Sequence, residues 1–264
     1  MSSGPVKVAV IGAYGRMGIL ACAAVEAADD LELVARIGSG DDLAHASGAD
    51  VVVDLTRPDA VMDNIAWCVE HGISVVAGTS GFTTGRVESL RGLVGDQIAL
   101  GVLVVPNFSV GAVLMMRFAA QAARYMESVE IIEMHHPDKV DAPSGTAQRT
   151  AVQVAQARRE SGLGPLPDET SSQLPGARGA TVDDIPVHSL RVRGLVAHQE
   201  VILGNSGETL TIRHDMLDRA AAMPGLLAAV RAVRRLPGVS VGLERVLRLE
   251  GADGPDGPDA QFDR

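Results

Sequence analysis

The sequence predicts an α/β protein, with a helix-covered parallel sheet as one domain and a smaller α+β domain inserted into it. Three observations carry this. Short apolar runs rich in β-branched residues alternate with helical patterns in the N-terminal part; a Gly-x-x-Gly-x-x-Gly turn joins the first run to the first helical pattern; and after Pro106 the pattern changes, reaching a stretch of period-two alternation.

Residues 6–11 (Val-Lys-Val-Ala-Val-Ile) read as the first strand, Gly12 to Gly18 as the turn, and residues 19–28 as the first helix. Strands are expected at 31–37, 51–54, 73–77 and 99–105, with helices near 59–71 and 86–95 between them. Such alternation builds βαβ units on a parallel sheet. Beyond Pro106, a helix is expected at 112–125, a strand at 129–134 and a helix at 146–160. Residues 185–214 alternate with period two, broken by Gly194 and by Asn205-Ser-Gly207, and so predict antiparallel hairpins. Residues 223–235 return to a helical pattern. Residues 1–108 and 217–250 are thus expected to form the parallel-sheet domain, and 109–216 the inserted one with a mixed or antiparallel sheet. The Gly/Pro/Asp-rich segment 251–264 is expected to be a disordered tail.

The bulk properties narrow the function. With 264 residues, 46% hydrophobic and 21% charged, the chain suits one or two soluble domains. No apolar run approaches the roughly 18 residues of a membrane span. The start has no apolar h-region, so a cytoplasmic protein is expected. Net charge is −10 and aromatic content 3%, which argues against a general nucleic-acid surface. Cys22 and Cys68 lie in apolar helical patterns without metal-type spacing, and are expected in the core.

Gly12, Gly15 and Gly18 between a strand and a helix let backbone approach a pyrophosphate at a helix N-terminus, the Rossmann-type arrangement; a ligand-free tight turn is the plainer reading. An acid that would hold the ribose hydroxyls of NAD is expected after the second strand, and Gly38 stands there instead. That absence, with Arg16 and less directly Arg36 as positive charges, predicts that NADPH serves at least as well as NADH. The alternative is that Asp41 or Asp42 compensates. The strand ends at Gly78-Thr-Ser80 and at 105–108 (Val-Pro-Asn-Phe) point to the same crevice, or are simply turns.

The segment 133–147, Glu-Met-His-His-Pro-Asp-Lys-Val-Asp-Ala-Pro-Ser-Gly-Thr-Ala, is the densest in chemistry. On a strand, Glu133 and His135 share one face and His136 takes the other, while Pro137 ends the ladder. An imidazole titrates near ~6.5, so His135 is a candidate proton donor at neutral pH, although a lone histidine is commonly structural. Lys139 is either an exposed lysine paired with Asp138 or Asp141, or a cation for a carboxylate. Ser144 reads as a helix cap that opens a first turn whose N–H groups around Gly145 and Thr146 attract an anion. Lys139 with that helix start would suit a small dicarboxylate. Adjacent histidines on a strand diverge, so no metal site is expected.

With these motifs, joined by Asp54-Leu-Thr-Arg-Pro58 and Pro106-Asn-Phe-Ser-Val-Gly111 in the same order, the chain resembles the dihydrodipicolinate (4-hydroxy-tetrahydrodipicolinate) reductases over nearly its whole length. The resemblance implies NADH- or NADPH-dependent reduction of a cyclic dicarboxylate in diaminopimelate and lysine biosynthesis, in a cytoplasmic homotetramer built through the inserted domain's sheet. It implies His135 as proton donor and Lys139 as a second catalytic residue, with His136, Gly145 and Thr146 on the substrate. Gly12, Ala13, Tyr14, Gly15, Arg16 and Met17 would line the cofactor, as would Gly78, Thr79, Ser80, Val105, Pro106, Asn107 and Phe108, with Gly38 at its ribose. Two positions depart from the family pattern: Gly38 replaces a frequent acid, and Ser80 a common threonine. Other amino-acid or semialdehyde dehydrogenases share the glycine turn but not His-His-x-x-Lys with Pro-Ser-Gly-Thr. A cofactor-binding paralogue without turnover would have no use for His135, Lys139 and Thr146.

Overall fold

In a computed structural model, residues 4–79, 81–95 and 100–249 are described. They fall into two compact units, the described parts of Met1–Val110 with Ala222–Arg264, and Gly111–Ala221.

The first unit is built on a six-stranded sheet of β1 (Val6–Ile11), β2 (Leu31–Ile37), β3 (Val51–Asp54), β4 (Ser74–Ala77), β5 (Gly101–Val104) and β11 (Gly238–Val241). Its order is β11-β5-β4-β3-β1-β2, and every pairing is parallel. All residues of β3, β4 and β5 are buried, as a sheet covered on both faces requires. Alternate strand residues, Ala9, Ile11, Val52, Val75, Val102 and Val104, pack with Ile65 of α2 (Val61–Glu70) and Leu90 of α3 (Thr84–Val94). Helices α1 (Arg16–Glu26) and α6 (Met223–Val233) pack on each other, with α1 on β1 and β2 and α6 on β3 to β5. The chain reverses direction across the sheet between β1 and β3, which is where open parallel sheets leave a crevice at their strand ends. Strand β11 was not foreseen from the pattern, because Gly238 and Ser240 interrupt its apolar content.

In the second unit, α4 (Val110–Ala123) leads into β6 (Ser128–His135), and α5 (Gly145–Glu160) follows. The sheet is completed by β7 (Ala180–Val182), β8 (Ile185–Arg191), β9 (Ala197–Asn205) and β10 (Glu208–Met216), in the order β10-β9-β6-β8-β7. The β9–β10 pair turns at Ser206-Gly207, as expected. Gly194 does not make a hairpin: β6 lies between β8 and β9, parallel to β8 and antiparallel to β9, so the sheet is mixed. Period-two alternation reports that a segment is a strand and says nothing of which strand it pairs with. The face of β6 that carries Val129, Ile131 and Glu133 is buried, while Ile132 and Met134 on the other face are half-exposed. Helix α5 packs on β6, β7 and β8.

Candidate functional site

The first unit gathers its loops at one level. Ile11 is in register with Asp54, Asp54 with Ala77, and Ala77 with Val104, so the loops that follow β1, β3, β4 and β5 leave the sheet side by side. Gly12 has φ +79°, and a Cβ there would stand 2.7 Å from the Leu55 carbonyl oxygen. Only glycine adopts that conformation at so close an approach. Gly12 and Ala13 donate backbone hydrogen bonds to the Ile37 carbonyl at 2.8 and 3.1 Å, which ties the turn to the end of β2. Gly15 is the N-cap of α1 and supplies no side chain to cap it, and the first turn carries no acid. The N–H groups at Arg16 and Met17 therefore open a helix whose positive end suits a phosphate. Tyr14 is exposed, and its ring lies against Gly38, where a Cβ would come within 2.7 Å of it.

Asp41 bears on the missing acid at Gly38. Its carboxylate accepts the Gly38 N–H at 2.7 Å, so a negative charge does stand at the end of β2, contributed from three residues downstream. Asp42 is used to cap a short 3-10 turn, and Arg36 is paired with Glu26 at 2.7 Å.

The loops after β3 and β4 hang on a residue to which no role was assigned from the sequence. Asp54 is fully buried and accepts from the Thr56 N–H at 2.9 Å, the Thr56 hydroxyl at 2.6 Å, Asn64 Nδ2 at 2.7 Å and the Thr79 hydroxyl at 3.2 Å. Its carbonyl takes the Gly78 N–H at 2.8 Å. Gly78 must be small, because a Cβ would enter the Phe108 ring and approach Leu55 Cδ2 to 2.7 Å. Val105 and Phe108 are buried, Pro106 is exposed, and Asn107 Oδ1 accepts the Ser109 N–H at 2.8 Å. Ser80 lies outside the described residues. These features fit a dinucleotide: a glycine cradle that a Cβ would fill, an uncapped helix start, and two strand-end loops held in one shape.

In the second unit, charge is concentrated at the end of β6. Glu133 is fully buried and accepts from His135 Nδ1 at 2.6 Å, from both Arg191 Nη atoms at 2.9 and 2.8 Å, and from the Ser144 N–H at 3.1 Å. Burial alone would push this carboxyl up, but hydrogen bonds from His135, Arg191 and Ser189 overcome it and hold the group down at about 2. Glu133 is thus a carboxylate that can only accept, so His135 Nδ1 is the donor and Nε2 is left as the atom for proton transfer. The shared face of Glu133 and His135 was legible from i, i+2 spacing; Arg191, which stands beside His135 in the β6–β8 register, was not.

Ser144 caps α5 as expected, its hydroxyl accepting the Ala147 N–H at 3.2 Å, and the helix begins at Gly145, one residue before the expected start. Gly145 is exposed and Thr146 half-buried. Lys139 is half-buried and paired with the Asp141 carboxylate. Burial raises the Asp141 carboxyl, but the Lys139 hydrogen bond and nearby backbone N–H groups bring it below its usual value. His136 does not share the Glu133 pairing; its Nδ1 lies 3.9 Å from Asp138. Beneath the helix start, Gln199 Nε2 donates to the Thr150 hydroxyl at 2.7 Å, which donates to the Thr146 carbonyl at 2.8 Å.

Comparison with known proteins agrees with this geometry. Residues 6–108 match the family described as dihydrodipicolinate reductase, N-terminus, and residues 111–247 its C-terminus. The chain is 60% identical over 245 residues to 4-hydroxy-tetrahydrodipicolinate reductase of Cutibacterium acnes, covering 93% of this chain and all of that one. Among solved structures, it resembles the dipicolinate-bound dihydrodipicolinate reductase from Paenisporosarcina sp. TG-14, with TM-score 0.81 and 35% identity, covering 91% of this chain and 99% of that one. Scyllo-inositol dehydrogenase from Lactobacillus casei shares the fold at TM-score 0.60 and 10% identity, over 94% of each chain.

Proposed function

Because the chain belongs to the dihydrodipicolinate reductase family, we propose that it reduces 4-hydroxy-tetrahydrodipicolinate to tetrahydrodipicolinate, in diaminopimelate and lysine biosynthesis, with His135 as proton donor. It is an NAD(P)H-dependent oxidoreductase. When bound, the reduced nicotinamide supplies a hydride to the conjugated imine that remains once the substrate has lost its hydroxyl as water.

The protein's own task is then to deliver a proton to the electron-rich carbon. His135 Nε2 carries that proton, while Nδ1 stays hydrogen-bonded to Glu133. The ionised Glu133 stabilises the imidazolium, and Arg191 keeps Glu133 ionised and fixed in place. A positioned general acid of this kind contributes roughly 10²–10⁴-fold. Lys139 and the N–H groups of Gly145 and Thr146 take a substrate carboxylate, with His136 as a further contact. The observation that carries this reading is the Glu133–His135–Arg191 arrangement at the head of a Ser144-capped helix, beside Lys139.

On the cofactor side, Gly12 to Met17 cradle the pyrophosphate, and the Gly78-Thr79 turn and residues 105–108 line the nicotinamide. Asp41 on Gly38 puts charge where ribose hydroxyls bind, opposing a 2′-phosphate, so NADH and NADPH are both expected to serve. Its presence works against the expected NADPH advantage. The half-exposed Ile132, Met134 and Ile202 and the exposed Leu190, on the sheet face opposite Glu133, support assembly as a homotetramer through β6 to β10. The absence of a helix long and apolar enough to cross a membrane, among the described residues, is consistent with a cytoplasmic enzyme.

The test follows nicotinamide oxidation spectrophotometrically, with substrate generated in situ from pyruvate and aspartate semialdehyde. Oxidation that depends on both precursors is expected. None with either cofactor, from protein that binds NADH, would leave a cofactor-binding protein of another function.

A further inference from the structure

Asp141 is paired with one of the donors on which the proposed carboxylate seat depends. Its carboxylate takes a hydrogen bond from Lys139 Nζ, and the nearby N–H of Gly145, the first residue of α5, favours its charge. Its backbone carbonyl is held by Arg191 Nη2 at 2.7 Å, so the residue is anchored to the same guanidinium that grips Glu133. Lys139 is drawn in to 23% side-chain exposure in a loop where the neighbouring Asp138 side chain is 95% exposed and Val140 fully exposed. An ammonium beside a helix start recognises a carboxylate. Here the carboxylate on the ammonium belongs to the chain.

We propose that Asp141 is an internal stand-in for one substrate carboxylate, occupying Lys139 at the head of α5 until a dicarboxylate displaces it. The inference rests on the reductase reading and extends it. Side-chain exposure of Asp141 is 45%, so the carboxylate can rotate into water without opening the core. Lys139 is meanwhile kept from other anions. The consequence is a tax on affinity: if the seat is filled by Asp141 about nine-tenths of the time, apparent affinity falls about tenfold. A ligand that reaches other contacts with a second carboxylate can meet that tax, and a simple anion cannot.

The test is calorimetric titration of dipicolinate into the full-length protein, native and with Asp141→Asn or Asp141→Ala, and the KM of the same proteins. Both variants are expected to bind dipicolinate about three- to tenfold more tightly, with KM lowered in parallel. A residue that merely props Lys139 in place would give the opposite sign, since its loss would loosen the seat. Equal or weaker binding in both variants, with native-like thermal unfolding, would overturn the role of Asp141 and leave the reductase reading intact. Failure of the native protein to bind dipicolinate at all would instead count against the reductase reading.

Discussion

Asp54 in the first unit and Glu133 in the second are both fully buried carboxylates at or near the C-terminal end of a strand, yet they are satisfied in opposite ways. Asp54 accepts hydrogen bonds from Thr56, Asn64 and Thr79, all neutral donors within 25 residues of it. Glu133 is held by the guanidinium of Arg191, 58 residues away, and by an imidazole. The difference matches what the proposed function asks of each unit. A dinucleotide is gripped largely by backbone, so its unit needs loops of fixed shape, and neutral hydrogen bonds supply shape without adding field. Protonating carbon needs a tuned acid, and tuning requires charges close together.

The contrast can be broken most sharply at His135. His135→Gln is expected to lower kcat by about 10²–10⁴-fold with little change in the KM for NADH, measured by steady-state kinetics. A comparable loss in cofactor binding would mean that the charged cluster is a scaffold like Asp54. Next in size, Glu133→Gln leaves Arg191 without its ionic partner and His135 without a fixed tautomer. It should cost about 3 kcal/mol in urea denaturation, and kcat should fall at least about tenfold.

The same group gives a pH signature. With its carboxyl at about 2 in the folded chain and near ~4.3 unfolded, Glu133 contributes stability above ~4.3 that is lost as pH falls towards 2. Urea melts between pH 5 and 3 should therefore decline less steeply in Glu133→Gln than in the native protein. Asp54→Asn, which keeps the shape but replaces one acceptor oxygen by a donor, should cost about 1–2 kcal/mol and raise the KM for NADH more than that for substrate. The smallest effect belongs to Asp41→Ala, which should shift the ratio of kcat/KM for NADPH over NADH upward by a few-fold. An unchanged ratio would show that the Asp41 carboxylate does not reach the ribose.

Most of the first unit was legible because its signals are local. A β-branched run, a glycine turn and a helical period each announce themselves within about a dozen residues, and β1 to β5 fall where the pattern placed them. Strand β7, before the alternating stretch, and β11 were not read, and the break at Gly194 suggested a hairpin that β6 in fact separates. In the second unit the Ser144 cap and the common face of Glu133 and His135 were readable, since capping and strand alternation act over two or three residues. Arg191 was not, because its place beside His135 depends on strand pairing. Asp54 sat in plain view within a motif, but its partners Asn64 and Thr79 come from α2 and from the turn after β4, and only packing joins them.

The sequence by itself thus determined the α/β class, the glycine turn, the capped helix and the shared face of Glu133 and His135, all of them properties of contiguous residues whose geometry the backbone period sets. The tertiary structure decided what each group is worth. Parallel pairing of β6 with β8 brings Arg191 onto Glu133 and makes a buried carboxylate ionised, and the fold of the loop before α5 seats Asp141 on Lys139. The reason is physical: local conformation depends on steric and hydrogen-bond rules that span a few residues, whereas the charge state and partner of a buried group depend on whatever the rest of the chain places within about 3 Å of it.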